Sequence, residues 1–309
     1  MRAALSAALV KLAKADSNIL LLTGDHGYAL FDDFRSECPN QYINAGIAEQ
    51  NMVGMAAGLA RSGYRPVVYG LSAFIPLRVV EQIKLDVAHD MLPVTFIGDG
   101  AGFVYSQLGT SHQATEDIAC TRAIPNISVL SPSDRFELHA CIEFCYRAKT
   151  PCYLRIGKAD RGDIHTEVPN LVPGNLFKVR QGHGSDVTFI ATGAMVTTAV
   201  RLADSKFTGA TVWSAPFIKP LNCSQVIQIC KSNKIIVVIE EHSIFGGLGS
   251  AVAEISSEHF PTRVLRIGVR DRFSHSCGSY DYLLKEHGLN QEAVELQINQ
   301  FMGLHRLCV

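Results

Sequence analysis

The chain has 309 residues, of which 47% are hydrophobic and 18% are charged, and its formal net charge is −1. This length suits two domains, and the composition is that of a folded globular protein rather than a disordered one. The balanced charge leaves no basic footprint for nucleic acid or an anionic membrane. We therefore expect a small-molecule enzyme or a partner-binding subunit.

Nine cysteines are scattered along the chain without a CxxC pair, which favours reduced thiols in a cytoplasmic protein. Cys141 and Cys145 are one helical turn apart and could bind a metal, but burial in the core is the favoured interpretation. Residues 1–15 form an amphipathic run rather than an apolar signal core. Apolar stretches such as 235–239 are too short to cross a bilayer, so we expect a cytoplasmic location.

Short β-rich runs alternate with helical patterns in the first half of the chain, and this alternation predicts an α/β fold. Continuous apolar runs predict strands that are covered on both faces, as in a parallel sheet. The predicted strands cover 19–23, 66–69, 93–97, 127–130 and 152–155, and the predicted helices cover 3–15, 49–61, 74–89 and 135–147.

The alternation lapses between 157 and 185, where prolines and glycines collect and predict a linker. A second α/β series follows, with strands at 186–191, 211–213, 235–239 and 263–267 and helices at 194–204, 223–231, 249–259 and 280–302. The sequence thus predicts two parallel-sheet domains, 1–160 and 185–309, joined by a linker at 161–184.

The first candidate site segment is GIAEQNM at 46–52, in which Glu49 opens a helix whose next turns carry mostly small residues. Small side chains let another backbone or a flat ligand come close, and a carboxylate in apolar surroundings is suited to proton transfer. The alternative on pattern alone is tight helix packing, with Glu49 as a solvated first-turn acid favoured by the helix dipole.

The second candidate is the polar loop SQLGTSHQ at 106–113, which lies between a predicted strand and a helix. Parallel sheets usually bind ligands just beyond the carboxyl ends of their strands. His112 could donate a proton or hold an oxyanion at that place. A histidine in a loop can also be an ordinary surface residue, which is the alternative here.

The third candidate is EEHSIFGGLGSA at 240–251, which follows a strand and opens a helix like a phosphate cradle. Its glycine spacing differs from GxGxxG, and two acids precede it. A tight strand-to-helix connection is therefore the favoured interpretation.

A fourth segment imitates a motif for a metal and a diphosphate, with GDG at 98–100 and Asn126 downstream. Asn126 lies directly before a predicted strand, and no second asparagine follows it as the motif would require. We therefore predict no metal site in this chain.

Together these segments resemble the transketolase and deoxyxylulose-phosphate synthase family over nearly the whole chain. The matching runs keep the family's order and spacing, and they are GIAEQNM at 46–52, GTSHQATEDIACTRAIPN at 109–126, SPSD at 131–134, ATG at 191–193 and EEHSIFGGLGSAVAE at 240–254. The resemblance implies that 1–160 is a pyrimidine-binding domain for thiamine diphosphate and that 185–309 is the family's C-terminal domain.

The resemblance begins at residue 1, whereas full-length members carry an upstream domain that holds Mg²⁺ and the diphosphate. This implies the smaller half of a split enzyme, which would work with an N-terminal-half subunit carrying that domain. In the family the cofactor lies between protomers, so we expect self-association of this chain within an α2β2 complex.

The resemblance also implies roles for individual residues. Glu49 would hydrogen-bond the aminopyrimidine ring of the cofactor and stabilise its imino tautomer, while Phe74 would stack on that ring and Ile47 would contact the cofactor. His112 would contact substrate oxygens at the reacting carbon. Arg155 and Arg2 would bind a sugar-phosphate tail.

Three positions depart from the family pattern and leave the substrate open. Leu108 stands where transketolase has an acid that recognises a substrate hydroxyl. Gly98 replaces a substrate-binding histidine, and Gly100 replaces an arginine of the synthase. The loop at 101–107 is also about two residues longer than in transketolase.

The leading functional prediction is transfer of a two-carbon ketol unit from a ketose or ketose-phosphate donor to an aldehyde. The alternatives are an acyl-transferring enzyme on the same cofactor, resembling deoxyxylulose-phosphate synthase or the β subunit of 2-oxo acid dehydrogenases, and a non-catalytic subunit. The runs RAIPN and EEHSIFGGLGSA favour transketolase over the dehydrogenase, and Glu49 argues against a non-catalytic role.

Overall fold

The structure, a computed structural model, describes residues 1–157 and 161–303. Its strands within these ranges are β1 (Ile19–Thr23), β2 (Tyr42–Asn44), β3 (Arg65–Leu71), β4 (Thr95–Asp99), β5 (Ser128–Leu130), β6 (Cys152–Ile156), β7 (Phe177–Arg180), β8 (Val187–Ala191), β9 (Thr211–Ser214), β10 (Phe217–Lys219), β11 (Ile235–Ser243) and β12 (Arg263–Val269).

The α-helices of the same ranges are α1 (Arg2–Ala15), α2 (Asp32–Glu37), α3 (Glu49–Arg61), α4 (Val80–Gln82), α5 (Asp117–Ala123), α6 (Arg135–Arg147), α7 (Met195–Ser205), α8 (Cys223–Ser232), α9 (Leu248–His259), α10 (Tyr280–Glu286) and α11 (Gln291–Gly303). A π-helical turn (Ile83–Ala88) continues α4, and 3₁₀ turns occur at Pro39–Gln41, Leu77–Val79, Ser106–Leu108 and Thr110–His112.

The first sheet has the strand order β10-β5-β6-β4-β3-β1-β2, and all its neighbours are parallel except the β10–β5 pair. All five residues of β1 are buried, because alternate side chains pack on opposite faces. Leu20 and Leu22 join the apolar cluster that contains residues of α3. Ile19 and Leu21 join the cluster that contains residues of α1 and α6.

The second sheet has the order β12-β11-β8-β9-β7, and β7 is its one antiparallel strand. Two mostly parallel sheets flanked by helices confirm the predicted fold class. The segment 161–184, which we expected to be a linker, differs from that expectation because it contains β7 at the edge of this sheet.

Strand β10 belongs to the second half of the sequence but pairs with β5 in the first sheet. Phe217 of β10 is buried there against Phe144, with ring centroids 4.9 Å apart. The strand is only three residues long and is flanked by Pro216 and Pro220. Its sequence therefore predicts an interruption between elements rather than a strand. The pairing of β10 with β5 therefore connects the two halves of the chain.

The cysteines of the described ranges are all free thiols, and Cys141 and Cys145 are buried residues of α6 in the apolar cluster that α6 shares with α1. Cys308 lies outside the described residues. Across 1–157 and 161–303, the helices are all too short or too polar to cross a membrane.

Candidate active site

Glu49 is the first residue of α3 and is only 3% exposed. Its burial follows from the helical repeat, since Met52, Val53 and Ala56 share its face of the helix and are also buried. The interpretation of Glu49 as a solvated first-turn acid is therefore wrong. The small residues of α3 let the helix lie close to the sheet and carry the carboxylate into the protein.

Arg78 approaches this carboxylate, with its Nη1 atom 3.0 Å from Oε1 of Glu49. The N–H bond is not directed at the oxygen, so Oε1 has no hydrogen-bond partner among the residues that the structure describes. The guanidinium carbon of Arg78 also lies 4.1 Å from the centroid of the Phe74 ring. Glu49 and Phe74, predicted from the sequence, are thus brought together by an arginine that was not predicted.

Two histidines contact the same aromatic ring. The centroid of Phe74 lies 5.4 Å from that of His112, nearly edge to face, and 6.0 Å from that of His26. Burial lowers the pKa of His26, which favours its neutral form. His26 was missed by our sequence reasoning, although it follows β1 at the carboxyl edge of the sheet, where ligands bind in parallel sheets.

Ile47 lies in the loop that precedes α3, two residues before Glu49, and is 78% exposed. An exposed aliphatic side chain next to a buried carboxylate could contact a ligand or another subunit, and its predicted contact with the cofactor stays a prediction.

Arg2 lies at the end of β4, in a cluster of its own. Its Nη2 atom is 2.6 Å from Oδ2 of the buried Asp99, and it also hydrogen-bonds the hydroxyl of Tyr105. The hydroxyl of Tyr69 donates to the same carboxylate at 2.7 Å. The guanidinium of Arg2 is partly exposed, so its predicted contact with a substrate tail stays a prediction.

The two parts of the segment that imitates a metal motif have separate partners within the protein. Asp99 is paired with Arg2 and Tyr69, while the side-chain amide of Asn126 donates to the carbonyl of Ala88 at 3.1 Å. Oδ1 of Asp99 has no hydrogen-bond partner among the described residues, and the absence of a metal site here stays a prediction.

Arg155 lies in β6 and is buried, with its guanidinium used inside the chain. Its Nε atom donates to Asp117 at 2.8 Å, and its Nη2 atom donates to the carbonyls of Ala114 at 3.0 Å and Glu241 at 2.8 Å. These contacts hold the guanidinium inside the chain, and the predicted binding of a sugar-phosphate tail by Arg155 stays a prediction.

The glycine-rich segment after β11 is a strand-to-helix connection. The carboxylate of Glu240 accepts hydrogen bonds from the backbone N–H groups of Leu248 and Gly249, at 2.7 and 2.8 Å, and so occupies the N-terminus of α9. Burial raises the pKa of Glu240 to about 7. Since a carboxylate of the chain itself fills this place, the segment does not form a phosphate cradle.

Comparison with known proteins assigns both parts of the chain. Residues 1–161 match the family model described as the transketolase pyrimidine-binding domain, and residues 177–294 match the transketolase C-terminal domain. Together the two models cover both sheets and the residues around Glu49.

Similar proteins agree with these matches. The chain is 36% identical to a putative transketolase C-terminal section of Methanocaldococcus jannaschii, covering 98% of this chain and 96% of that one. It is 33% identical to the 6-deoxy-6-sulfo-D-fructose transketolase subunit SqwH of a Clostridium species, covering 93% and 89%. A solved structure of a split-gene transketolase, described as an inactive β4 tetramer, superposes with a TM-score of 0.86 at 31% identity, covering 96% of both chains. The chain therefore belongs to the transketolase family and comprises its pyrimidine-binding and C-terminal domains.

Proposed function

We propose that this chain is the C-terminal subunit of a split transketolase that transfers a two-carbon ketol unit from a ketose or ketose-phosphate donor to an aldehyde. The observation that carries the proposal is the buried carboxylate of Glu49, whose Oε1 atom is ion-paired with Arg78 but has no hydrogen-bond partner in the described part of the chain, and which lies in one cluster with Phe74 and His112. Family membership supplies the reaction class.

The residues at this place suit the aminopyrimidine ring of thiamine diphosphate. Oε1 of Glu49 finds no hydrogen-bond partner in the described ranges, and a ring N–H of the imino form of the aminopyrimidine is a donor that suits this acceptor. The ring of Phe74 offers an aromatic face for stacking. When bound, the cofactor supplies the carbon nucleophile for ketol transfer.

The chain's own residues then have three tasks. Glu49 holds a proton at the edge of the aminopyrimidine, where its burial excludes competing water. His112 orients a substrate oxygen by hydrogen bonding and can exchange a proton with it. His26, kept neutral by burial, can act as either donor or acceptor beside the same ring.

A partner subunit completes the proposed enzyme. Mg²⁺ and the diphosphate would be held by an N-terminal-half subunit, and two copies of each subunit would form a cytoplasmic α2β2 complex. The names of the relatives, a C-terminal section and a subunit, support this arrangement. The β4 tetramer of the similar structure supports self-association of chains of this type.

Substituting Glu49→Gln in the reconstituted complex tests the proposal. Glutamine keeps the size of the side chain but cannot exchange a proton, so we expect the rate of ketol transfer to fall about 10²- to 10⁴-fold. Glu143→Gln is the matched control, because Glu143 is a partly exposed acid paired with Arg147 on the surface of α6. Turnover that survives Glu49→Gln nearly unchanged would overturn the assignment.

The acyl-transfer alternative is separated by the products. An enzyme that resembles deoxyxylulose-phosphate synthase or a 2-oxo acid dehydrogenase releases carbon dioxide from pyruvate, whereas ketol transfer between sugars releases none. We expect the complex to form ketose products without release of carbon dioxide. Pyruvate-dependent release that is lost in the Glu49→Gln variant would establish the alternative instead.

A further inference from the structure

Arg78 makes two contacts with the proposed cofactor site that no catalytic step above uses. Its Nη1 atom pairs with Oε1 of Glu49 at 3.0 Å, and its guanidinium carbon lies 4.1 Å from the centroid of Phe74. The side chain is 44% exposed, so the guanidinium enters the site from the solvent side.

These are the same two contacts that the aminopyrimidine ring is expected to make. A guanidinium is flat and rich in N–H donors, and it binds both carboxylates and aromatic faces. An aminopyrimidine is also flat, carries an amino group beside a ring nitrogen and stacks on aromatic faces. The two groups are therefore suited to the same carboxylate and the same ring.

We propose that Arg78 is an internal competitor of the cofactor, with its guanidinium held between Glu49 and Phe74 until the aminopyrimidine ring displaces it. The inference rests on the proposed function, since it assumes that this ring binds at Glu49. It adds a step to cofactor loading, in which the arginine moves outwards before the site is complete.

The geometry indicates that the arginine can be displaced. The Arg78 N–H bond is not directed at Oε1 of Glu49, so the contact is an ion pair without a hydrogen bond. Arg78 also lies in a short 3₁₀ turn (Leu77–Val79) and has a long side chain that reaches solvent. Moving it outwards therefore exposes a charge to water and breaks no directed hydrogen bond to Glu49.

Binding of thiamine diphosphate tests the competition directly. In the reconstituted complex with Mg²⁺, we expect Arg78→Met to bind the cofactor about tenfold more tightly than wild type by calorimetry, since an ion pair and a cation–π contact no longer compete. Arg78→Lys keeps the charge but not the flat stacking group, and we expect an intermediate affinity. Arg61→Met is the matched control, because Arg61 forms a half-exposed pair with Asp90 at the far end of α3.

The pyrimidine fragment of the cofactor, 4-amino-5-hydroxymethyl-2-methylpyrimidine, gives a second measurement on this chain alone. Ligand-observed NMR should show stronger binding to Arg78→Met than to wild type, with no change in Arg61→Met. Circular dichroism checks that each variant is folded. If Arg78→Met does not fold, the affinity of Arg78→Lys for the fragment decides whether Arg78 competes with it.

The outcomes separate the two proposals. If the wild-type complex binds thiamine diphosphate but the Arg78 variants bind it equally or more weakly, the competition is refuted and the proposed function stands. If the wild-type complex does not bind the cofactor, the proposed function fails and the competition fails with it.

Discussion

At the scale of single residues, local position decides whether a charged group is free for chemistry. Arg155 extends from β6, which lies between β4 and β5 and has all five residues buried, so its guanidinium must find partners inside the protein. Arg2 is the first residue of α1, and its side chain remains partly exposed. The sequence resemblance assigned one role to both residues, but their surroundings separate them.

Replacing Arg155 by methionine should destabilise the chain strongly. The buried carboxylate of Asp117 would lose its charged partner, and breaking a buried ion pair in this way typically costs about 3–5 kcal/mol. The midpoint of urea unfolding measures the loss. Arg147→Met, at an exposed pair with Glu143, should change stability by no more than about 0.5 kcal/mol. An Arg155 variant that is as stable as this control but has a raised KM would contradict this expectation and support a role in substrate binding.

The central residues of the site could be identified from the sequence, whereas their neighbours could not. Glu49, Phe74 and His112 stand in segments with family spacing, so the resemblance locates them. His26 contacts Phe74 from another part of the chain, and this proximity depends on the order of strands, whereas Arg78 lies four residues after Phe74, at the spacing of one helical turn. His26 could have been identified from the rule that ligands bind at the carboxyl ends of parallel strands. No signal in the sequence pairs Arg78 with Glu49.

At the scale of elements, the end of β11 contacts α5 of the first half through a neutral histidine. Nε2 of His242 accepts from the backbone N–H of Ala119 at 3.2 Å, and Nδ1 donates to the carbonyl of Ser243 at 2.8 Å. Burial lowers the pKa of His242 to about 4. A proton on Nε2 would face another donor, so acid should weaken this contact between α5 and the second sheet.

The contribution of His242 to the stability of the chain should therefore fall as the pH decreases from about 6.5 to about 4. The unfolded chain binds a proton on His242 near its usual pKa of 6.5, whereas the folded chain resists it, so this stabilisation is complete above 6.5 and is lost towards 4. The contribution is about 3 kcal/mol across this window. Urea unfolding at several pH values measures the slope.

His242→Asn is the reference for that slope, because the variant lacks the titrating group. Glu240 contributes with the opposite sign, since its raised pKa of about 7 makes stability decrease as the pH rises from 4.5 to 7. The effect of Glu240 is present in both wild type and His242→Asn, so it largely cancels when the pH slope of one is subtracted from that of the other. Equal slopes for wild type and His242→Asn would contradict the role given to the histidine.

Most elements could be predicted because their periodicity is strong, and the misses have physical causes. Strand β1 and helix α3 match their predicted bounds, since a continuous apolar run and a helical repeat are clear local signals. The predicted helix at 74–89 is broken into a 3₁₀ turn, α4 and a π-helical turn. Strands β7 and β10 are short edge strands whose pairing depends on tertiary contacts.

At the scale of the whole molecule, one of the apolar clusters contains residues of both sheets. The cluster that contains Leu20 and Met52 in the first half also contains Val238 and Val252 in the second. Strand β10 and the hydrogen bond from Arg155 to the Glu241 carbonyl cross the same boundary. The sequence predicts two domains but not the packing of one against the other, because contacts between domains leave no periodic pattern in the sequence.

The isolated chain should form an oligomer that has no ketol transferase activity. The β4 assembly of the similar split-gene transketolase motivates this expectation, and exposed apolar side chains such as Ile47 and Tyr28 offer surface for contact. Analytical ultracentrifugation of the pure chain, followed by an activity assay, tests both parts. A monomer that is active without any partner would contradict the prediction.

Calorimetric titration of thiamine diphosphate with Mg²⁺, first into this chain alone and then into the chain mixed with a candidate N-terminal-half subunit, tests whether the cofactor site needs both subunits. We expect tight binding only in the mixture, because Glu49 and Phe74 offer a place for one ring while the partner holds the metal and the diphosphate. Tight Mg²⁺-dependent binding by this chain alone would contradict it, since the chain would then contain a complete cofactor site.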